Sequence, residues 1–134
     1  MESRRYLLDT HAFLWASVEP ERLGAAAATV ISNPRLTLYL SPAAIWEILI
    51  KMSKGQIEPK RKDGVAYVQS LLRRFELLDV LPIRAEHVME AYRLPAIHRD
   101  PFDRIMIGQA RAEDLTFITA DKTVREYDVE TLWL

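Results

Sequence analysis

Short apolar runs alternate along this chain with longer stretches in which apolar residues recur at helical spacing. The runs predict strands over 5–8, 36–40, 78–83, 115–119 and 131–134. The stretches predict helices over 10–17, 21–32, 42–54, 65–75, 85–92 and 100–112. Strands and helices that alternate over the whole length are typical of an α/β sandwich with a mostly parallel central sheet of four to five strands.

Prolines and capping residues mark where several of these helices begin or end. Ser41 and Asp100 each precede a proline, so each can cap a helix whose first position is proline. Asn33 precedes another proline, which drives it out of the helical conformation and ends the second predicted helix. Asp103 lies in the first turn of the last long helix, at the positive end of the helix dipole.

The composition is that of an ordinary globular domain. The chain has 134 residues, 49% hydrophobic and 28% charged, which predicts one domain over 1–134. No apolar run is long enough to cross a bilayer and the start lacks a signal-peptide core, so we expect a cytoplasmic location and no membrane contact. The lack of cysteine excludes disulfides and thiolate metal sites. A net charge of −1 argues against a broadly basic nucleic-acid binder, but it allows a local basic surface.

Acidic residues follow the predicted strands at the end where ligands collect in parallel sheets. Asp9 comes directly after the first strand, Asp121 two residues after the fourth, and Glu47 in the second turn of the helix leaving the second. The spacing leaves open whether Asp103 joins them, because its helix leads directly into a strand. Four converging carboxylates need a counter-ion, and Mg²⁺ or Mn²⁺ prefers oxygen ligands. Such a site can activate water for phosphodiester hydrolysis.

Each acid also has an ordinary structural explanation. Asp9 and Asp121 can cap the helices that follow them, and Asp103 can stabilise a helix dipole. Glu47 precedes Lys51 by one turn, which predicts a surface ion pair. The three histidines show no zinc-ligand spacing. The metal interpretation therefore depends on all four acids meeting at one edge of the sheet.

Five segments carry a pattern that extends over essentially the full length. They are Leu7-Leu8-Asp9-Thr10-His11, Ser41-Pro42-Ala43-Ala44-Ile45-Trp46-Glu47-Ile48, Asp100-Pro101-Phe102-Asp103-Arg104, Ile118-Thr119-Ala120-Asp121 and Val129-Glu130-Thr131-Leu132-Trp133. The third is the most specific, with Ile107-Gly108-Gln109-Ala110 one turn on. Together they resemble the PIN-domain nucleases, and within them the VapC-type toxins of bacterial toxin–antitoxin pairs. Gly108 departs from the alanine common in that family and is expected to loosen its helix.

The resemblance implies a PIN-like α/β/α sandwich with Mg²⁺- or Mn²⁺-dependent endoribonuclease activity on RNA. It also implies a homodimer that a cognate antitoxin protein inhibits. The four acidic residues that bind metal and catalyse the reaction in the family correspond to the same four acids that were chosen above from their positions after the strands. The resemblance therefore implies that Asp103 lies at the same edge of the sheet as the other three. The quartet is Asp9, Glu47, Asp103 and Asp121.

Other residues are expected to surround this quartet. The resemblance implies that Thr10 and Thr119 correspond to the family's supporting hydroxyls, which orient the carboxylates. Asp100 is expected either to lie beside the quartet or only to cap its helix. Arg99 and Arg104 are candidates to hold RNA phosphates, with charge compensation of the acids as the alternative. A basic stretch is expected to form either a rim of the site that contacts the phosphates of the RNA backbone or a solvated loop. Its residues are Lys51, Lys54, Lys60, Arg61 and Lys62. The tryptophans are expected in the core or at a subunit interface and not as base-stacking platforms: Trp15, Trp46 and Trp133.

Three other functions compete with the toxin nuclease. A PIN nuclease with a housekeeping role in RNA processing would use the same residues. A non-catalytic PIN-like domain would only bind RNA or a partner, although such a module has no use for clustered like charges. A phosphatase of the haloacid dehalogenase kind would use Asp9 as nucleophile, but it needs a second acid where this chain has His11.

Overall fold

Five parallel strands form a sheet in the part of the chain that the structure, a computed structural model, describes: residues 4–61, 63–98 and 100–134. The strands are β1 (Arg5–Leu8), β2 (Thr37–Leu40), β3 (Leu78–Val80), β4 (Thr116–Thr119) and β5 (Thr131–Trp133). Their order across the sheet is β3-β2-β1-β4-β5, and every neighbouring pair is parallel. The α/β class and the parallel sheet expected from the alternating pattern are confirmed.

Six α-helices within these described ranges connect the strands and cover the sheet. They are α1 (Thr10–Val18), α2 (Ala25–Ile31), α3 (Pro42–Ser53), α4 (Gly64–Arg74), α5 (Ala85–Arg93) and α6 (Pro101–Glu113). Short 3₁₀ turns occupy Pro20–Arg22 and Lys122–Glu126. Among the described helices, none has the length and apolar character that a membrane crossing requires.

The neighbouring strands β1 and β4 form the most deeply buried part of the sheet. Leu7 and Leu8 are fully buried, as are Leu40 of β2 and Phe117 and Ile118 of β4. A parallel sheet covered on both faces has apolar residues on both sides of each strand. This explains why the strands appear in the sequence as short unbroken apolar runs.

The register of the sheet brings the ends of its middle strands level. Leu8 pairs with Leu40 on one side and with Ile118 on the other. The chain builds outward from β1 through β2 to β3, and then resumes on the opposite side with β4 and β5. A reversal of this kind leaves a crevice at the carboxyl ends of the two strands that flank it, here β1 and β4.

Two predicted elements are shorter than expected. The prediction of a helix over 21–32 is wrong at its start. A 3₁₀ turn occupies Pro20–Arg22 and ends at Leu23, and Gly24, which has an extended backbone, separates this turn from α2. The predicted strand over 78–83 is too long, since β3 ends at Val80. Leu81 still donates its N–H to Leu40, but Pro82 has no N–H to continue the ladder.

Helices α5 and α6 approach each other closely at Gly108. A Cβ at this position would lie 2.6 Å from the carbonyl oxygen of His87 and 2.9 Å from the backbone nitrogen of Ala91. The expectation that Gly108 loosens its helix is therefore wrong, because the missing side chain is what lets the two backbones pack together. The tight contact fixes α6, which carries Asp103.

Candidate active site

Asp9 leaves the sheet directly after β1 and is buried, with 6% of its surface exposed. Its backbone N–H donates to Ile118 of β4 at 3.0 Å, and its Oδ1 accepts the N–H of Ala12 at 2.7 Å to cap α1. The capping role expected for Asp9 is thus confirmed. Burial raises the pKa of Asp9, and hydrogen bonds from Ala12 and the Thr119 side chain offset part of that rise.

Glu47 enters the same region from the second turn of α3, whose start is fixed by the Ser41 cap and the proline after it. Its Oε1 accepts a hydrogen bond from the Thr10 hydroxyl at 2.7 Å, and its Oε2 lies 2.8 Å from Nζ of Lys51. The expected ion pair is present, but Glu47 is buried, with 8% of its surface exposed. A buried carboxylate with both oxygens engaged is more tightly held than a surface pair.

His98 bridges the other two acids. Its Nε2 lies 3.0 Å from Oδ2 of Asp103 and 2.7 Å from Oδ2 of Asp121. Its Nδ1 accepts the backbone N–H of Asp100 at 3.1 Å, so Nε2 carries a hydrogen that faces the two carboxylates. His98 is not among the candidate site residues predicted from the sequence, since the histidines show no zinc-ligand spacing. The available signal was its place two residues before the Asp100 cap, inside the most specific acidic segment.

All four acids line one cleft of about 390 Å³ at the carboxyl edge of the sheet. Its lining residues are Asp9, Thr10, His11, Trp15, Glu47, Lys51, Asp100, Asp103, Ala120 and Asp121. Asp103, whose position the spacing left open, therefore lies with the other three. The long connection from β3 through α5 brings the start of α6 over this edge.

The electrostatics of the cleft show that the acids interact with one another. The pKa of Asp103 is raised to about 7, chiefly by burial and further by the negative charges of Asp100, Glu47 and Asp9, while His98 acts to lower it. For Asp121, burial also acts to raise the pKa. Hydrogen bonds from His98 and from Thr123 outweigh that effect, so the pKa of Asp121 falls below its usual value.

Two threonines and a capping aspartate support the quartet. The Thr10 hydroxyl holds Glu47, while the Thr119 hydroxyl is hydrogen-bonded to Asp9 and accepts the N–H of Asp121 at 3.0 Å. Asp100 caps α6 by accepting the N–H of Phe102 at 2.9 Å, and it also lines the cleft. Thr10 and Thr119 therefore lie beside the quartet, and Asp100 both caps its helix and lines the cleft.

Arg104 has a different environment from the one expected. Its guanidinium donates to backbone carbonyls of the segment that leads from α5 to His98: Ala91 at 2.9 Å, Pro95 at 3.0 Å, Leu94 at 3.1 Å and His98 at 3.3 Å. A guanidinium committed to four carbonyls holds that segment in place and is not available to an RNA phosphate. Two of the other basic candidates named above, Arg99 and Lys62, lie outside the described residues.

The donor set fits a hard divalent cation. Four carboxylates share one cleft, and ligand atoms of His98, Asp103 and Asp121 lie within 4.8 Å of one another. The raised pKa of Asp103 arises partly from three like charges around it, which a bound cation would compensate. Oxygen ligands in this number suit Mg²⁺ or Mn²⁺.

The sequence matches the family model described as PIN domain over residues 6–130. The chain belongs to the PIN domain family. No curated protein sequence matches it. Membership of the PIN family argues against the haloacid dehalogenase interpretation.

Several solved structures share the PIN fold of this chain over nearly its whole length. VapBC2 from Rickettsia felis, bound to a DNA fragment from its promoter, is similar at 18% identity and a TM-score of 0.71, covering 96% of this chain and 98% of that chain. FitAcB from Neisseria gonorrhoeae is similar at 20% identity and a TM-score of 0.66, with coverages of 95% and 96%. VapC20 from Mycobacterium tuberculosis, described as a sarcin-ricin loop cleaving toxin, has 15% identity and a TM-score of 0.61, with coverages of 90% and 93%.

Proposed function

We propose that this PIN domain is an endoribonuclease that requires Mg²⁺ or Mn²⁺ and hydrolyses RNA phosphodiester bonds in the cytoplasm. The observation that carries the proposal is the meeting of Asp9, Glu47, Asp103 and Asp121 in one cleft. A cluster of like charges, two of them buried, destabilises a fold unless a counter-ion compensates the repulsion, and a divalent cation suits these oxygen ligands. Membership of the PIN family supports the nuclease assignment.

In this proposal the four acids hold the cation directly or through water. The bound cation supplies activated water and neutralises charge on the phosphate. Thr10 and Thr119 keep the carboxylates in position, since a hydroxyl hydrogen-bonded to a ligand fixes its orientation. Lys51 lies at the cleft beside Glu47 and adds positive charge where an RNA phosphate would approach.

We further propose that the nuclease is the toxin of a toxin–antitoxin pair. Its structural neighbours include VapBC and FitAB assemblies, which supports a cognate antitoxin as partner. The homodimer implied by the resemblance belongs to the same proposal. Co-expression with the product of a neighbouring small gene, followed by co-purification and loss of cleavage, tests the antitoxin. A housekeeping nuclease would cleave RNA without such a partner.

The substitution Asp9→Asn tests the nuclease proposal, with Asp79→Asn as its matched control on exposed β3. Loss of a direct ligand charge should reduce RNA cleavage in Mn²⁺ by at least roughly 100-fold, because even outer partners of a metal site contribute about 10- to 100-fold. The control should cleave at the wild-type rate. The measurement is the cleavage rate of a labelled unpaired RNA, with circular dichroism to verify folding.

Undiminished cleavage by folded Asp9→Asn protein would reject the assignment of the quartet. A wild-type protein that binds RNA but does not hydrolyse it in Mn²⁺ would favour a non-catalytic PIN domain. EDTA should abolish cleavage by the wild-type protein, and added Mn²⁺ should restore it.

A further inference from the structure

The cleft wall contains a large aromatic side chain, Trp15, on the helix that Asp9 caps. The ring is half-buried: part of it packs against the hydrophobic core, and part lines the cleft together with the four acids. His11 lies one turn earlier on the same face of α1, exposed and also in the cleft wall, with its ring centroid 6.1 Å from that of Trp15. A tryptophan that served only the core would not need to contribute to this wall.

A guanidinium lies over the Trp15 ring. Cζ of Arg22, from the 3₁₀ turn after α1, is 4.2 Å from the ring centroid, and the Arg22 side chain remains 52% exposed. Glu19 lies 3.6 Å from the same guanidinium and helps to hold it there. The cation fixes the orientation of the ring and places positive charge close to an otherwise acidic cleft.

An RNA strand that presents a phosphate to the acids must also accommodate the bases beside that phosphate. Unpaired bases in protein complexes commonly stack on aromatic rings, and arginine adds cation–π attraction at such sites. We propose that Trp15, supported by Arg22, is the stacking platform for an unpaired nucleobase adjacent to the phosphate that is cleaved. The inference rests on the proposed function and adds to it a preference for unpaired RNA. It replaces the sequence-based expectation that Trp15 has only a packing role.

The chain contains a matched control for this platform. Trp133 on β5 has Cζ of Arg125 4.0 Å from its ring centroid, so it has the same chemistry as the Trp15 pair. Trp133 is not among the residues that line the acidic cleft. Any general effect of losing an arginine-stacked tryptophan should therefore appear in both variants, and an effect on RNA should appear only at Trp15.

The test compares Trp15→Leu with Trp133→Leu, since leucine keeps an apolar side chain but has no ring. Each protein is assayed in Mn²⁺ on a labelled unpaired RNA and on the same RNA with one abasic position beside the cleaved bond. We expect Trp15→Leu to lose roughly 5- to 150-fold in kcat/KM on the unmodified RNA, the range expected for one stacked base. It should match the wild type on the abasic RNA, and Trp133→Leu should match the wild type on both RNAs.

A second measurement keeps Trp15 in place, in case Trp15→Leu does not fold. In the double variant Trp46→Phe, Trp133→Phe, Trp15 is the remaining tryptophan, and unpaired RNA should quench its fluorescence more than the abasic RNA does. Equal quenching by both RNAs overturns the platform, as does a Trp15→Leu loss that is the same on the unmodified RNA and on the abasic RNA. A wild-type protein that hydrolyses none of the substrates overturns the proposed function itself, which separates the two failures.

Discussion

Thr10 makes one contact that an isosteric substitution can remove. Its hydroxyl donates to Glu47 at 2.7 Å while its backbone begins α1, so the side chain ties the carboxylate to the neighbouring helix. The same hydrogen bond orients Glu47 toward the cleft that Asp9 lines. Residues that position metal ligands in this way contribute to metal affinity without touching the ion.

The substitution Thr10→Val should therefore weaken Mn²⁺ binding by about 10-fold, since it keeps the shape of the side chain and removes the hydrogen bond. Isothermal titration calorimetry measures the affinity. Thr29→Val is the control, because the Thr29 hydroxyl bonds the Ala25 carbonyl of its own exposed helix. Equal Mn²⁺ affinities for the two variants would show that Thr10 does not support the site.

At the scale of elements, the contact between α5 and α6 decides where Asp103 lies. Gly108 allows the backbone of α6 to reach that of α5, and Arg104 ties the segment after α5 to the same helix through its carbonyl contacts. His87, fully buried on α5, lies 2.8 Å from Glu113 near the end of α6 and adds a polar contact between the helices. Disturbing this contact should move the start of α6 and the acid it carries.

Gly108→Ala should destabilise the protein by about 1–3 kcal/mol, even though alanine is the better helix former, because the new Cβ meets backbone atoms that cannot rotate away. Urea unfolding measures the change. Gly64→Ala at the start of α4 is the control, since its Cβ would meet only flexible side-chain ends, the closest being Met52 Cε at 3.1 Å. A Gly108→Ala protein as stable as the wild type would contradict the tight approach of the two helices.

At the scale of the whole molecule, the acidic cleft makes stability depend on pH. Burial and neighbouring negative charges together raise the pKa of Asp103 from 3.8 to about 7, and burial raises that of Asp9 as well. The folded protein therefore binds protons more tightly at these sites than the unfolded chain does. The stabilisation is complete below the unfolded pKa and is lost as the pH rises toward and through 7. The lowered pKa of Asp121 acts in the opposite direction, but below about pH 4.

In EDTA, the free energy of unfolding should fall between pH 4 and pH 8, and Asp103→Asn should flatten that fall. Saturating Mg²⁺ should restore stability at pH 8, because a cation that binds only the folded state stabilises it by mass action. Urea denaturation at several pH values, with and without Mg²⁺, measures both effects. The proposed site would be contradicted by a wild-type profile that Mg²⁺ leaves unchanged at pH 8.

Local sequence patterns were sufficient for some parts of the site and insufficient for others. Asp9 and Asp121 follow apolar strands, so the geometry of a parallel sheet already predicts that they share an edge. The position of Asp103 depends on how the α5–α6 connection crosses that edge, and the spacing of residues in the sequence carries no information on that path. Only the family resemblance places Asp103 with the other acids. The role of Gly108 is set by a helix distant in sequence, which no local pattern reveals.

The segment between α3 and α4 divides the acids evenly. Asp9 and Glu47 precede it with β1 and β2, while Asp103 and Asp121 follow it with the other three strands. The pairings β1–β4 and β2–β3 join the two portions through the sheet. A polypeptide cut at this point would leave each fragment with half of the carboxylates, so the proposed nuclease activity would return only when the fragments reassemble. Fragment complementation would then report directly on formation of the complete sheet.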